Sequence, residues 1–422
     1  MLKKHMMDRR AFLGFAGAAG VMLTAPPLVR RASAASAPFT GPYWLFVHAS
    51  GGWDPTMLCD PKGTTTGDLA PVNHYAIDDI GEAGPFQYAP IAGHREFFER
   101  FQNDLLVING IDAQTNSHEV GTRHTWSGSM TADTPSLGAL IPGLAPARPS
   151  LAFVSNGGYD LTGGLVAPTR LSSTSTILQI AYPGRLDVAR PDSELFTADS
   201  NARIAAARAA RLDRQIASAT LPRVQNAWGL LRDARLGDNE LAQLAETLPT
   251  TLDNGSDLRR QAQVAMACFA AGVTVSATLQ VGGYDTHGDH DRSHTTAMQG
   301  LINGLMFAMD EAEAHGIAQD VIVVVGSDFG RTPWYNDGMG KDHWSITSMM
   351  MMGPGIRGGR VIGGTDSGVV PVPIDPTTLR ASDTGVRITP GDVHADLRAL
   401  AGLQGRPELA RWSVGNAYGL LG

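Results

Sequence analysis

The sequence predicts an α/β protein built on a largely parallel central sheet flanked by helices. Two observations carry that prediction. Short apolar runs such as Leu105-Leu106-Val107-Ile108 and Val321-Ile322-Val323-Val324-Val325 do not alternate with polar residues, as expected of strands covered on both faces. From Asp257 onward such runs take turns with helical stretches, the pattern that right-handed crossovers between parallel strands produce.

In chain order, Tyr43-Trp44-Leu45-Phe46-Val47-His48 reads as the first strand and runs into the turn Ser50-Gly51-Gly52-Trp53-Asp54-Pro55. Leu105 to Ile108 is the second, ending at Asn109-Gly110, with a polar loop through Asn116, Ser117 and His118 beyond it. Leu151 to Val154 is the third, ending at Ser155-Asn156-Gly157-Gly158. Residues 186–256 differ in character, with an Ala/Arg-rich helix from Ala202 to Ala217 and a polar one from Asn239 to Thr247. They read as an inserted helical subdomain or cap over one sheet edge, or equally as an ordinary pair of surface helices. A helix from Asp257 to Ala271 and a strand from Val273 to Val281 follow. Met298, Leu301, Ile302, Leu305, Met306, Met309 and Ala312 then recur at the three-four spacing of one buried helix face, which Gly316 ends. Val321 to Val325 and Ile346 to Met352 are strands, the four methionines at the end of the second being core filling rather than ligands. Asp392 to Gly402 is a terminal helix without assigned chemistry.

Residues 1–34 read as a twin-arginine export signal. They hold Lys3 and Lys4, the run Asp8-Arg9-Arg10-Ala11-Phe12-Leu13-Gly14, a mildly apolar Ala/Gly stretch, and Ala32-Ser33-Ala34 ahead of a cleavage site at Ala35. The expected partner is the twin-arginine export machinery, and the expected location is periplasmic or secreted. The remaining segment, 35–422, reads as one α/β core with one excursion from it, the helical segment 186–256. Residues 1–34 carry six Lys/Arg against one Asp, a net of +5 within a whole-chain −8, so the remainder stands near −13. That balance excludes a nucleic-acid surface, which needs clustered cations to neutralise phosphates. No later stretch is apolar for long enough to span a bilayer. Cys59 lies in a loop and Cys268 in a helical run, so an unpaired, buried Cys268 is expected.

The acidic and histidine residues fall just past strand ends: Asp54 after the first strand, Asp285 and His287 after Val281, Asp328 after Val325. Open α/β sheets gather ligands in the crevice outside those ends. The segment Gly282-Gly283-Tyr284-Asp285-Thr286-His287-Gly288-Asp289-His290-Asp291-Arg292-Ser293-His294 is especially dense in carboxylates and imidazoles, the donors that zinc or manganese takes. His290 and His294 have the spacing of a helical zinc pair but lack the glutamate of a metalloprotease. Asp285, Asp289 and Asp291 lack the spacing of a calcium-binding EF-hand. Asp54 could also shape its turn with Pro55, and Asp285 could cap a helix.

At these residues the chain resembles the bacterial domain-of-unknown-function family 1501, a family often exported by the twin-arginine route and placed in the alkaline-phosphatase-like superfamily, which includes sulfatase-like enzymes. The resemblance rests on Gly282-Gly283-Tyr284-Asp285-Thr286-His287 and Ser327-Asp328-Phe329-Gly330-Arg331-Thr332 with Asp342-His343, and more weakly on Gly51-Gly52-Trp53-Asp54 and Asn116-Ser117-His118. It implies an alkaline-phosphatase-like fold with two metals. Asp54 would bridge toward a nucleophile, Asp285 and His287 would hold one metal, and Asp328 with His343 the other. Zinc is the expected ion, with manganese or calcium as alternatives. Asp289 and His290 are alternates to the Asp285-His287 pair, and Phe329 stands where the superfamily often has histidine.

Asn116-Ser117-His118-Glu119-Val120-Gly121 is similar to a stretch of the cofactor-independent phosphoglycerate mutases, which makes Ser117 the implied nucleophile, with Thr115 as its rival and helix capping as the alternative role. His118 would then contact metal or substrate, and Arg123 and His124 non-reacting oxygens. The sulfatase modification sequence Cys/Ser-x-Pro-x-Arg is absent near Ser117, which favours a small-molecule phosphate ester as substrate over a sulfate ester. An exported, metal-stabilised binding or assembly protein of the same fold is the alternative.

Overall fold

The computed structural model describes residues 38–422 except 147–148, 172–177, 180–181, 183, 188–189, 191, 237 and 250. The export signal of residues 1–34 therefore lies outside the described residues.

Among the described residues there are twelve strands: β1 (Tyr43–Ala49), β2 (Gly81–Ala83), β3 (Phe86–Tyr88), β4 (Leu106–Asp112), β5 (Phe153–Ser155), β6 (Pro168–Thr169), β7 (Ser276–Val281), β8 (Val321–Ser327), β9 (Gly330–Arg331), β10 (His343–Trp344), β11 (Ile346–Met352) and β12 (Arg360–Gly363). Eight of them form one sheet in the order β12-β4-β11-β8-β1-β7-β5-β6. Only β11 is reversed, running antiparallel to both β4 and β8, while every other pairing is parallel. The expected largely parallel sheet is thus a mixed one with a single reversed strand, and that strand matters. Because Ile346 pairs with Asp112, β11 starts at the edge where its parallel neighbours end, and so delivers His343 to that edge.

The helices are α1 (His94–Phe101), α2 (His118–Ser127), α3 (Leu137–Leu144), α4 (Ala198–Ser218), α5 (Pro222–Leu236), α6 (Asp238–Thr247), α7 (Asp257–Ala270), α8 (His290–Ala314) and α9 (Pro390–Leu400). Ser256 caps α7 by accepting from the Arg259 N–H, and Thr389 with Asp392 forms a capping box that starts α9 two residues before the expected boundary. Between residues 186 and 256 the structure has three helices where the sequence pattern suggested two, α5 being the addition. Leu244 and Leu248 pack into the larger apolar cluster.

Strand β1 alternates between two cores. Tyr43, Leu45 and Val47 pack with Phe269, Leu301 and Leu305 of α7 and α8, while Trp44 and Phe46 pack with Trp126, Leu140 and Leu397 on the opposite face. Burial on both sides is why its pattern does not alternate with polarity. Strand β4 runs through Asn109-Gly110 instead of ending there. The ladder to β11 shifts register between Thr347 and Met349, and the Asn109 side chain donates to Cys59 O at 2.9 Å and accepts from Ser348 Oγ at 2.7 Å, so the buried amide is satisfied. Cys59 and Cys268 are both free and buried, and burial pushes the Cys268 thiol up to about 12.

His94, at the first turn of α1, is fully buried; its Nδ1 donates to Ala89 O at 3.0 Å and its Nε2 has no partner. Burial pushes it down to about 4. The unfolded chain therefore binds the proton first, so this contribution to stability is present above about pH 6.5 and lost as pH falls toward 4. We expect His94→Gln, compared with wild type by urea unfolding near neutrality and near about pH 4.5, to remove about 2–3 kcal/mol of the acid-induced loss; an identical pH dependence would refute the assignment.

Candidate functional site

Four segments reach the C-terminal edge of the sheet. The loop after β1 brings Asp54, the loop after β7 brings Asp285, Thr286 and His287, the residue after β8 is Asp328, and the loop after β4 leads into α2 at His118. A fifth, residues 341–343, arrives ahead of the reversed β11. Here β9 and β10 form a two-residue ladder, His343 opposite Arg331. The segments before and after it are zipped to the β7 loop by Lys341 N–H donating to Thr286 O at 3.0 Å. The approach is so close that a Cβ on Gly340 would lie 1.9 Å from the His287 carbonyl carbon. Likewise a Cβ on Gly121 of α2 would lie 2.4 Å from Asp328 O, so this helix rests directly on the β8 end.

The side chains sort into an open cluster and a buried one. In the open cluster, each of three histidines has its Nδ1 held by an acceptor. His118 Nδ1 lies 2.6 Å from Asp328 Oδ2, His287 Nδ1 2.7 Å from Asp342 Oδ1, and His343 Nδ1 2.8 Å from Asn116 O. Carboxylates and carbonyls only accept, which assigns the proton to Nδ1 in all three and turns each Nε2 lone pair inward. Those lone pairs converge on Asp285. His287 Nε2 is 3.0 Å and His343 Nε2 3.1 Å from its Oδ1, and His118 Nε2 is 3.5 Å from its Oδ2. The His287 and His343 Nε2 atoms are themselves 3.0 Å apart. Electron-pair donors in such contact call for a cation among them. A tetrahedral zinc ion with metal–nitrogen bonds of about 2.0–2.1 Å has ligand–ligand edges of about 3.3 Å, close to these separations. The ligand atoms of His118, Asp285 and His343 all lie within 4.8 Å of one another; His287 is outside that group and adjoins it through its contacts with Asp285 and His343. The residues therefore fit a divalent ion. The Asp285 and His287 side chains are nearly half exposed, which leaves room for a further ligand.

Charge is balanced behind the cluster. Arg331, almost wholly buried, donates to Asp285 Oδ1 at 2.7 Å, to Gly52 O at 2.8 Å, to Lys341 O at 2.9 Å and to Gly51 O. Burial opposes ionisation of Asp285, but the hydrogen bond and charge of Arg331 outweigh it and hold the carboxyl at about 2. Asp328 is buried, which also opposes its charge. His48 Nε2 at 3.1 Å and His118 keep it below the usual carboxylate range, and Gly51 N–H donates to it at 3.3 Å. His48 is fixed in turn by the Trp126 indole N–H, 2.9 Å from its Nδ1. The Phe329 ring packs against both His118 and His343, with centroids 4.9 and 4.5 Å away.

The buried cluster surrounds Asp54. Its Oδ2 accepts from Lys341 Nζ at 2.6 Å and faces His290 Nε2 at 3.1 Å; its Oδ1 accepts from Thr56 N–H at 2.9 Å and Thr56 Oγ1 at 2.6 Å. Lys341 also donates to Asn73 Oδ1 at 2.8 Å. Asp54, Lys341, His290 and His294 are all 0% exposed. Burial works against the Asp54 charge, yet Lys341 and His290 drive its carboxyl far below the ordinary range.

The structure thus brings together Asp285, His287 and His343, joins Asp328 to them through His118, and sets Asp54 apart in an inner network with His290 and His294. Asp289 is the N-terminal flanking residue of α8, at φ 46°, without a side-chain cap. Ser117 flanks the start of α2, is exposed, and makes no capping bond. Thr115 Oγ1 accepts from the Ser117 N–H at 3.1 Å. Arg123 and His124 are engaged locally: Arg123 bonds Met130 O and Glu119, and buried His124 bonds Ala113 O at 2.9 Å. Four residues escaped the sequence reading, His48, Arg331, Lys341 and Asp342. Three of these stood inside quoted motifs, and all are identified only by partners distant in sequence.

Residues 190–412 match the model of a family described as "Protein of unknown function (DUF1501)". The curated proteins compared contain no match to the chain. Similar solved structures include a 2-O GAG sulfatase at 11% identity, covering 90% of this chain and 74% of that one with a TM-score of 0.37. The lipoteichoic acid synthase LtaP from Listeria monocytogenes is 7% identical, with 91% and 76% covered and a TM-score of 0.38. The TAB5 alkaline phosphatase is 10% identical, with 76% and 93% covered and a TM-score of 0.30.

Removing one partner of a buried ion pair strands the other charge. Asp54→Asn should therefore lower the unfolding free energy by about 3–5 kcal/mol, and adding Lys341→Met should return much of it. Urea midpoints measure both, and a neutral Asp54→Asn would show the pair to be dispensable.

Proposed function

The chain belongs to the DUF1501 family, and we propose that it is an exported, metal-dependent hydrolase of phosphate esters. The observation that carries this reading is the convergence of three imidazole Nε2 lone pairs on the Asp285 carboxylate in a half-open cleft beside the exposed start of α2. His118, His287, His343 and Asp285 would hold the ion. A bound divalent cation supplies Lewis acidity and makes an adjoining hydroxyl a better nucleophile at neutral pH.

The chain's own groups supply the rest. Asp328, Asp342 and the Asn116 carbonyl fix the imidazole tautomers, the outer hydrogen bonds that orient metal-ligating histidines. The first-turn N–H groups of α2 have no intrahelical partners, and Ser117 does not cap them, so they can receive phosphoryl oxygens. Attack by Ser117 Oγ on phosphorus forms the P–Oγ bond, breaks the bond to the alcohol, and passes the seryl proton to that leaving oxygen. Water then cleaves the P–Oγ bond, releasing phosphate and restoring the serine. Among the described residues no helix is long and apolar enough to cross a membrane, and we assign export to the arginine pair of residues 9 and 10.

Purified protein assayed on aryl phosphates and aryl sulfates in the presence of zinc should turn over the phosphates. Ser117→Ala should reduce that turnover by about a thousandfold or more while leaving metal content and unfolding midpoint unchanged. Equal activity in the variant would remove the serine from the mechanism, and wild-type inactivity on every ester would favour a metal-stabilised binding protein. Replacing Arg9 and Arg10 together by lysine should trap the protein in the cytoplasmic fraction; undiminished export would refute the twin-arginine assignment.

A further inference from the structure

One arrangement of protons uses the short contacts of the inner network, with the Tyr284 carbonyl, 3.5 Å from Thr286 Oγ1, as a longer second acceptor for that hydroxyl. The Asp54 backbone N–H donates to His294 Nε2 at 2.8 Å, so that nitrogen carries a lone pair and His294 Nδ1 carries the proton. His294 Nδ1 donates to Thr286 Oγ1 at 3.1 Å. The Thr286 hydroxyl then donates to His290 Nδ1 at 2.6 Å, and His290 Nε2–H donates to Asp54 Oδ2 at 3.1 Å. The ring closes with both imidazoles neutral and every nitrogen occupied. Asp54 Oδ1 is filled by Thr56, and the ammonium of Lys341 neutralises the charge. A divalent ion at Asp54 would have to displace the Asp54 N–H from the His294 Nε2 lone pair and share a fully buried site with the Lys341 ammonium, 2.6 Å from Asp54 Oδ2.

The outer half likewise lacks a second ligand set. Asp328 Oδ2 is taken by His118 and the Gly51 N–H, its buried Oδ1 has only the 3.1 Å contact with His48 and no hydrogen bond, and Phe329 supplies a hydrocarbon ring where a further donor would be needed. The two-metal arrangement implied by the family resemblance does not fit these residues.

We infer that this centre takes one metal ion per chain, at His118, Asp285, His287 and His343, and that Lys341 is the permanent cation opposite Asp54, where a second metal would otherwise be required. The inference rests on the metal-centre reading above. It makes Lys341 and Thr286 positioning residues. Lys341 N–H holds Thr286 O, and Arg331 bridges Lys341 O to Asp285, so the inner network fixes the two segments that present Asp285, His287 and His343. It follows that the ion can be withdrawn without removing the charge that balances Asp54.

Chelator-treated wild-type protein should keep its far-ultraviolet circular dichroism and bind one equivalent of Zn²⁺ by calorimetric titration, checked by elemental analysis. His118→Ala, a change at a partly exposed side chain, should abolish or weaken that equivalent by tenfold or more. Asp54→Asn combined with Lys341→Met should retain one equivalent with affinity reduced about 10–100-fold, as loss of outer-shell support does. Two equivalents in wild type would overturn the single-ion inference and leave the metal centre standing. No binding in wild type would overturn the metal centre itself. One equivalent that survives His118→Ala undiminished would place the ion elsewhere and overturn the assignment. Wild-type affinity in the double variant would overturn the positioning role of Lys341.

Discussion

Burying a carboxylate and an ammonium together removes both from water, and their attraction repays that cost only when the geometry is close and the remaining lone pairs and protons are satisfied. Asp54 and Lys341 meet those terms. The carboxylate has four partners and the ammonium a second acceptor in Asn73, with neither side chain exposed. Most of the surrounding geometry follows from this pair. It ties the loop after β1 to the segment preceding β11, and the histidines that complete it anchor the first two turns of α8. The open cluster sits on a floor already held in place before any ion is considered.

The fold was legible because the signals that set it are local. β8 is an unbroken β-branched run, and α8 shows its buried face at three-four spacing. The direction of β11 was not legible, since a fully buried strand carries no mark of which way it runs, and residues 328–345, which join it to β8, are long enough for either direction. The end of β4 was misplaced for a different reason. Asn109-Gly110 is a strong turn signal in isolation, yet a register shift and two buried hydrogen bonds to the Asn109 amide keep it within the strand.

The site was half legible. His343 entered only through the family resemblance, while density of Asp and His past strand ends located Asp285 and His287. It also drew in Asp54, whose position past β1 is the same but whose environment is opposite. What separates them is Lys341, and a lysine is almost never fully buried unless paired, so nothing local marked it as an interior residue. Arg331 and His48 were hidden in the same way: each is defined by a partner brought near only by the sheet order.

The coupling between the two clusters comes from parity. In an extended segment successive side chains point to opposite sides. Asp285 and His287 face the cleft while Thr286 between them faces inward to close the ring of His290 and His294. The facing segment does not follow that alternation: adjacent Asp342 and His343 both serve the cleft while Lys341 reaches Asp54, each held by its own partner. A slip of one residue in segment 285–287 would exchange its populations, placing a ligand in the dry interior and Thr286 in the cleft. The hydrogen bond from Lys341 N–H to Thr286 O and the contact at Gly340, too close for any side chain, hold the two segments in one register. The inner ion pair and the outer ligand set are therefore two faces of a single alignment, and a substitution that disturbs either one acts on the other through the backbone.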